Sequence, residues 1–359
     1  MDPELVSGEM RSVAGTHRLT GDPSEQRRRG SSLRAQDDAS RREDGPQVQV
    51  PVLYVGGCQR SGSTLLDRMM SQASGHVSAG EIVHLWSRGL RANELCGCGA
   101  RFSACPFWKE VGRVGFGGWE AEDLEEVLAL QRGVDRNRYI IFMLLPFLSP
   151  RYRRRLDRYV AILDRLYRAA YLVGGGVIVD SSKHASTAFL LRRVPSVQLR
   201  VVHMVRDGRG VAFSLSKRVR RPESVDEETF MFSSAAWRSS LQWLAFNGLF
   251  HVIRILGTPS SLVRYEDLVR EPHAVLKGIL VSEGGDAAED RLAFIDGTTV
   301  ALETDHTVAG NPMRFEHGSF ELKVDDTWRA AMARRDRTIT TLLTWPLLAA
   351  YGYLRRESR

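Results

Sequence analysis

The sequence predicts an α/β fold in which helices flank a central parallel sheet. Short apolar runs of strand length recur along the chain and end in polar residues or glycines, as in "VLYVGG" and "GVIVDSS". Stretches with helical periodicity lie between these runs. Such alternation is typical of parallel sheets, whose buried strands are continuous apolar segments. The 359 residues, 43% hydrophobic and 26% charged, have the composition of a globular protein.

The N-terminal segment, residues 1–47, differs in composition from the rest of the chain. It is polar, mixed in charge and rich in Gly, Ser, Arg and Asp. Such a segment buries too little apolar surface to offset the entropy lost on ordering. We therefore predict a disordered tail over 1–47, with an electrostatic docking arm as the alternative, and one domain over 48–359.

The net charge of +7 fits an anionic partner, whether nucleic acid, membrane or small ligand, and equally fits a surface charge that only keeps the protein soluble. Nucleic acid is the least favoured partner, because no lysine-rich stripe with interleaved aromatic residues occurs. No run reaches the ~18 apolar residues of a membrane span. The first residues, "MDPELVSGEMRS", lack the basic start and apolar run of a secretory signal. We expect a cytoplasmic protein without a transmembrane segment.

The first predicted strand, residues 52–55, leads into the loop "GGCQRSGSTLL" and then into a helix. Small residues at a helix N-terminus leave backbone N–H groups available to an anion. The spacing is that of a P-loop, G-x-x-x-x-G-K-[ST], but Ser63 occupies the lysine position. We predict a P-loop-like anion site; a tight glycine turn without a ligand is the alternative. Its candidate ligands are Arg60, Ser61, Gly62, Ser63, Thr64 and Leu65.

Further strands are predicted at 176–182, 199–207 and 261–268, and residues 119–172 are predicted to form a helical insertion or lid at the acceptor site. In parallel sheets, ligands bind at the carboxyl ends of the strands. Asp180, at one such end, keeps a magnesium site possible. The polar strand endings are Asp180, Ser181, Ser182, Lys183, Arg206, Asp207, Tyr265 and Glu266.

A second anion site is predicted by "VRDGRGVAFSLSKR". Arg206 ends a strand, a glycine-rich turn follows, and Ser214 lies eight residues later on a predicted helix. This spacing allows a guanidinium and a hydroxyl to meet around one anion, with Arg209, Lys217 and Arg218 adding positive potential. The alternative is that Arg206 pairs with Asp207 or Asp180.

Together, "CQRSGSTLL" and the Arg206–Ser214 spacing resemble the sulfotransferases that use 3′-phosphoadenylyl sulfate (PAPS). The arginine in the loop resembles the carbohydrate, tyrosyl-protein and bacterial members. Weaker similarity in "VDSSK", "YEDL", "GNPMRF" and "DTWRAAM" extends the resemblance over residues 50–355. It implies sulfuryl transfer from PAPS to an acceptor hydroxyl, without a required metal, leaving adenosine 3′,5′-bisphosphate.

The resemblance also implies roles for individual residues. Arg60 would clamp the 5′-phosphosulfate, and Arg206 with Ser214 would bind the 3′-phosphate. In the late segment "DHTVAGNPMRF", Asn311 and Arg314 would contact the cofactor, together with His306 and Gly310. A plain Asn-Pro turn is the alternative there.

Three further residues are candidates for the chemical step. Glu81 in "VSAGEIVHLW" is the first choice for the base, and His84 is the rival. Lys183 would protonate or stabilise the bridging oxygen of the leaving phosphate. The alternatives are a helix N-terminal carboxylate for Glu81 and a surface lysine for Lys183.

Three of the four cysteines, Cys96, Cys98 and Cys105, cluster in "CGCGARFSACPFW". Without a nearby fourth ligand they indicate zinc only weakly. A disulfide, or packing beside Phe107 and Trp108, is the expected arrangement.

The acceptor is expected to be a small molecule, lipid or carbohydrate that carries a hydroxyl, bound by residues 85–172 and 219–240. Rival functions are an atypical P-loop kinase or nucleoside triphosphatase, and a non-catalytic nucleotide-binding protein.

Overall fold

The computed structural model describes residues 48–217, 233–284 and 289–354. The predicted tail over 1–47 lies outside the described residues, as do Arg218 and the part of the expected acceptor region at 219–232.

The central sheet has five parallel strands in the order β2-β3-β1-β4-β5. The predicted α/β class with a parallel sheet is confirmed. The last strand ends earlier than predicted, at Arg264, so Tyr265 and Glu266 begin a helix instead of ending a strand. The strands are β1 (Val50–Gly57), β2 (His76–Gly80), β3 (Val177–Lys183), β4 (Val197–Val205) and β5 (Ser260–Arg264).

Helices cover both faces of the sheet. In chain order they are α1 (Ser63–Gln72), α2 (Pro106–Phe116), α3 (Leu124–Val134), α4 (Ile140–Leu144), α5 (Pro150–Gly174), α6 (Ala185–Leu191), α7 (Gly208–Ser216), α8 (Ala236–Ile255), α9 (Tyr265–Arg270), α10 (Pro272–Ser282), α11 (Trp328–Ala331) and α12 (Arg334–Ala350). Residues 119–172 are largely helical; their function as a lid stays a prediction. None of the helices in the described part of the chain is both long and apolar enough to cross a membrane.

The core forms two layers because alternate residues of β1 point to opposite faces of the sheet. Leu53 and Val55 pack with the apolar stripe of α1, which includes Leu66 and Met69. Val52 and Tyr54 belong to the other layer, together with buried residues of α2, α3, α5 and α6. Strand β1, which leads into the loop before α1, is therefore packed on both faces.

A second, antiparallel sheet follows in the order β6-β7-β8: β6 (Ile295–Asp296), β7 (Thr299–Leu302) and β8 (Gly318–Glu321). The chain between β7 and β8 returns to the central sheet, where Val308 pairs in parallel with Gly80 at the end of β2. Residues 303–317 thus lie beside the carboxyl end of the sheet.

Candidate functional site

A cleft of about 710 Å³ opens at the carboxyl ends of the central strands. Residues distant in the sequence meet there, although none of residues 119–172 lines it. The predicted site residues that line it are Arg60, Gly62, Ser63, Thr64, Leu65, Glu81, His84, Lys183, Arg206, Ser214, Gly310 and Asn311.

The loop between β1 and α1 requires glycine at two positions. Gly57 has a φ of 140°, and a Cβ there would lie 2.2 Å from the carbonyl oxygen of Met204. Gly62 has a φ of 91°, and a Cβ there would lie 2.6 Å from the ring of Tyr265. The backbone of the loop therefore runs closer to β4 and α9 than any side chain at these positions permits.

Helix α1 begins at Ser63, and no side chain caps its N-terminus. Its first backbone bond runs from Leu66 N–H to the Gly62 carbonyl oxygen, 3.1 Å away. The N–H groups of the preceding helical residues have no intrahelical acceptor. This helix start therefore offers donors and positive dipole potential to an anion in the cleft.

Ser61 does not offer its hydroxyl to the cleft, contrary to the expectation. The side chain is buried, and its Oγ donates to the carbonyl oxygen of Cys58 at 2.5 Å. This bond closes the loop on itself, so any contact of Ser61 with a ligand would have to come from its backbone.

Arg206 lies against the loop at the end of β4. Its guanidinium donates to the Arg60 carbonyl oxygen at 3.2 Å and stacks 4.6 Å from the centre of the Tyr265 ring. It also pairs with the Asp325 carboxylate, N–O 2.9 Å, so neither Asp207 nor Asp180, the alternatives from sequence, is its partner. Burial, followed by the nearby charge of Arg206, lowers the pKa of Arg60.

Arg209 does not add positive potential to the cleft as predicted. Its guanidinium contacts both carboxylate oxygens of Asp207, at 2.9 and 2.6 Å, and donates to the Tyr353 carbonyl oxygen at 3.0 Å. The Asp207 carboxylate also accepts from the Arg209 N–H and so caps α7. This pair fixes the start of the helix that carries Ser214 into the cleft.

Glu81, Lys183 and His84 form one group at the ends of β2 and β3. Lys183 donates to Glu81 Oε1, and His84 Nε2 lies 3.5 Å from Glu81 Oε2. Lys183 has a φ of 70°, a left-handed backbone that is costly for a non-glycine residue and is concentrated at functional sites. The strained strand end directs the ammonium group onto the carboxylate.

The protonation states of this group follow from burial and charge. Burial opposes the ionisation of Glu81, but the charges of Lys183 and His84 outweigh it and lower the carboxyl pKa to about 2. Burial lowers the pKa of His84 to about 4, against the attraction of Glu81. At neutral pH Glu81 is thus a carboxylate held by Lys183, and His84 is a neutral imidazole.

Arg314 does not reach the cleft, contrary to the prediction that it contacts the cofactor. It is fully buried and donates to the carbonyl oxygens of Thr307 (2.7 Å) and Leu95 (2.6 Å). The bond to Leu95 attaches the loop between β7 and β8, residues 303–317, to the segment just before Cys96. Asn311 does line the cleft, and its Oδ1 accepts from Met313 N at 3.1 Å, as in the Asn-Pro turn considered from sequence.

Asp180 is not placed to bind magnesium in the cleft. One carboxylate oxygen accepts from Tyr167 at 2.5 Å, and the other accepts from the N–H of Ser182 at 2.8 Å and from its hydroxyl. Asp180 is completely buried and does not line the cleft. Its carboxylate instead fixes the end of β3.

The cysteine cluster also differs from the expectation. All four cysteines are free, and the side chain that could serve as a fourth ligand, which the sequence does not place near them, is His306. Its Nδ1 lies 3.3 Å from Cys105 Sγ across 201 residues of sequence. His306 therefore faces the cysteines, and it does not line the cleft as a cofactor contact.

Sequence reasoning missed several residues that line the cleft, among them Arg88, Lys323 and Asp325. Asp325 directly precedes the quoted segment "DTWRAAM" but carries no pattern of its own. Arg88 lies on a π-helical segment, Leu85–Arg91, and pairs with Glu94 at 2.7 Å. A π-helical segment departs from the 3.6-residue period by which a helix is recognised in a sequence.

No protein-family profile and no curated protein matches the sequence. Among solved structures, the chain is similar to a sulfotransferase domain from the olefin synthase of Synechococcus: 20% identity, TM-score 0.42, covering 85% of this chain and 96% of that one. It is similar to a sulfotransferase domain from the curacin biosynthetic pathway: 16% identity, TM-score 0.44, covering 84% and 98%. It is also similar to a sulfotransferase from Mycobacterium avium: 14% identity, TM-score 0.38, covering 74% and 70%.

Proposed function

We propose that the protein is a sulfotransferase that moves a sulfuryl group from PAPS to an acceptor hydroxyl. The observation that supports the proposal most directly is a contact between the two predicted anion sites: the Arg206 guanidinium donates to the backbone of the loop at Arg60. Ser214 lines the same cleft. A ligand with two separate anionic groups on one nucleoside fits this arrangement, and the loop lacks the lysine that serves a triphosphate.

The donor's anionic groups would divide between the two sites. The 5′-phosphosulfate would lie at the N-terminus of α1, where backbone N–H groups and Arg60 stabilise charge that develops on the transferring group. The 3′-phosphate would replace Asp325 as the partner of Arg206, with Ser214 as a second donor. Arginine suits this position because its planar fork binds two phosphate oxygens at once.

The transfer step would use the Glu81–Lys183–His84 group. The acceptor oxygen forms a bond to sulfur, the bond from sulfur to the bridging oxygen breaks, and the electron pair leaves with the bisphosphate. Lys183 would move from Glu81 to that bridging oxygen. Glu81 would then lose its main attraction, become more basic and accept the hydroxyl proton. Neutral His84 beside it is the alternative base.

Binding of adenosine 3′,5′-bisphosphate tests the donor site. Arg206→Ala should weaken it at least tenfold, since hydrogen bonds to charged groups contribute about 1.5–3 kcal/mol, whereas adenosine 5′-phosphate should bind almost as before. Arg153→Ala, an exposed arginine on α5, is the control and should change neither affinity. Equal losses for the two nucleotides would refute the 3′-phosphate assignment.

Radiolabelled sulfuryl transfer tests the reaction itself. The protein should label a hydroxyl-bearing small molecule, lipid or carbohydrate from PAPS. Tight bisphosphate binding without transfer to any acceptor would instead indicate a non-catalytic nucleotide-binding protein. Magnesium-dependent ATP turnover would indicate the kinase or triphosphatase alternative.

A further inference from the structure

Four metal-ligating side chains meet beside the cleft but do not line it: Cys96, Cys98, Cys105 and His306. One ligand atom from each lies within 4.8 Å of all the others. Cys98 Sγ and Cys105 Sγ are 3.8 Å apart, and Cys105 Sγ lies 3.3 Å from His306 Nδ1. The transfer chemistry proposed above uses none of these groups.

The separations of 3.8 and 3.3 Å are close to the edges of a tetrahedral metal site. With metal–sulfur bonds of about 2.3 Å and metal–nitrogen bonds of about 2.0 Å, a tetrahedron has sulfur–sulfur edges of about 3.8 Å and sulfur–nitrogen edges of about 3.5 Å. A disulfide would join two sulfurs at about 2.0 Å and would give the third sulfur and the imidazole no function. The convergence of all four groups is better explained by one central ion.

We propose that Cys96, Cys98, Cys105 and His306 bind one structural Zn²⁺ ion. Three thiolates and an imidazole are ligands that zinc prefers, and the set is complete without water. A site with four protein ligands has no open position for a substrate, so the ion supports the fold and takes no part in transfer. Zinc binding would release the thiol protons, because cysteine binds zinc as the thiolate.

The turn that carries the first two cysteines is already closed by its own backbone. Cys96 N–H donates to the Ala100 carbonyl oxygen at 2.8 Å, and Gly99 N–H donates to the Cys96 carbonyl oxygen at 2.8 Å. Gly97 lies against the loop at 303–317, where a Cβ would be 2.2 Å from Asp305 Oδ1. The turn that carries Cys96 and Cys98 therefore lies against the loop that supplies the histidine.

The imidazole is positioned by groups outside the ligand set. Its ring stacks on Phe107 with centroids 5.3 Å apart and planes 7° apart, and the His306 carbonyl oxygen accepts from Trp108 Nε1 at 2.7 Å. Supporting contacts of this kind orient the ligands of metal sites. Phe107 and Trp108 were expected to pack against the cysteines alone. In the proposed site they also orient His306 as a zinc ligand.

The position of His306 gives the ion a structural effect on the cleft. Two residues later, Val308 exchanges backbone bonds with the end of β2: Val308 N–H with Ala79 oxygen (3.0 Å) and Glu81 N–H with Val308 oxygen (2.7 Å). Asn311, which lines the cleft, follows in the same loop. The zinc ion would therefore tie the Asn311 loop to the segment that begins with Glu81.

Metal analysis of the full chain tests the proposal without any activity assay. Protein produced with zinc, under reducing conditions, and dialysed should retain about one zinc ion per chain by mass spectrometry. Cys98→Ser and His306→Ala should lose it. Cys58→Ser, the one cysteine outside the cluster, and His317→Ala, an exposed histidine, are matched controls and should retain it.

Cobalt substitution of the unmodified protein gives a result that does not depend on how the variants fold. Co²⁺ should produce the intense visible bands of tetrahedral thiolate coordination and a sulfur-to-cobalt charge-transfer band, and zinc should displace it. Folded protein without bound zinc, an octahedral cobalt spectrum, or a Cys98–Cys105 disulfide in zinc-supplied protein would each overturn the proposal. None of these results would bear on whether the cleft binds PAPS.

Discussion

The Asp325 carboxylate pairs with Arg206, where the proposed function places the 3′-phosphate of PAPS. It lies 2.9 Å from the guanidinium and is 43% exposed, whereas Arg206 is only 8% exposed. Burial works against ionisation of Asp325, but hydrogen bonds from Thr327 and Arg206 prevail and lower its pKa. The carboxylate is thus an internal competitor for an incoming anion.

Asp325→Asn should therefore strengthen the binding of adenosine 3′,5′-bisphosphate. We expect about a fivefold gain, since a partly exposed ion pair contributes about 1 kcal/mol. Calorimetric titration measures it, with Asp326→Asn, the neighbouring carboxylate, as the control. Weaker binding by the Asp325→Asn protein would show that Asp325 belongs to the ligand's own contacts.

The pKa of Glu81 depends on the charge of its neighbour Lys183. Lys183→Met removes the charge that most strongly opposes the effect of burial on Glu81, so the carboxyl pKa should rise well above about 2. Carbon-13 NMR of the glutamate side chains measures the shift. Lys323→Met, which breaks an exposed pair with Glu321, is the control and should leave Glu81 unchanged. An unchanged Glu81 pKa in the Lys183→Met protein would show that the lysine charge does not stabilise the carboxylate.

Single residues were the least predictable part of the molecule. The sequence placed Arg206 and Lys183 at strand ends because the end of an apolar run is visible in one chain. The direction of a side chain is not visible, so the inward hydroxyl of Ser61 and the buried guanidinium of Arg314 could not be foreseen. The Ser61 hydroxyl turns inward because the closed loop brings it to the Cys58 carbonyl oxygen. The Arg314 guanidinium is held by the Leu95 carbonyl oxygen, which becomes its neighbour only in the fold.

The same change from glycine to alanine should have opposite effects on stability at the start of α1 and inside α8. Gly62 at the start of α1 needs a positive φ and close approach to Tyr265, whereas nothing lies within 4 Å of a Cβ at Gly248 inside α8. Gly62→Ala should lower the free energy of unfolding by about 1–3 kcal/mol and weaken nucleotide binding. Gly248→Ala should raise that free energy by about 0.5–1 kcal/mol.

Urea unfolding and nucleotide titration of both alanine variants measure these effects. Equal changes in the two proteins would mean that the left-handed start of α1 is not a constraint on the fold.

The elements themselves were predicted well where one signal dominated. Continuous apolar runs predicted β1, β3 and β4, and the glycine loop predicted the start of α1. The end of β5 was wrong because Tyr265 and Glu266 are compatible with both a strand end and a helix start. The sequence showed the cluster of three cysteines but not its histidine, because the pairing of Val308 with β2, a contact between distant parts of the chain, brings His306 to the cysteines.

For the whole molecule, His203 in the core links stability to pH. Burial lowers its pKa to about 4, against a hydrogen bond with Asn247 that raises it, and His251 lowers it further. An unfolded chain has a histidine pKa of about 6.5. Between these values the unfolded state binds more protons, so this contribution to stability is lost as pH falls from about 6.5 to about 4.

His203→Gln should remove that dependence. The stability difference between the unmodified protein and the variant should change by on the order of 3 kcal/mol across this pH window, by the pKa–energy relation. Chemical unfolding at several pH values measures it, with exposed His317→Gln as the control. Parallel curves for the unmodified protein and the His203→Gln protein would exclude His203 as a source of acid sensitivity.

The pairing of Val308 with Gly80 also protects the protein against self-association. β2 is an edge strand of the central sheet, and unpaired edges are templates for intermolecular β-sheet growth. The loop at 303–317 covers the carboxyl end of that edge. A Cβ at Gly80 would lie 2.6 Å from the Val308 oxygen, so a residue other than glycine at this position would push the loop away. A substitution that displaces this loop would therefore expose unpaired backbone groups of β2 and promote aggregation.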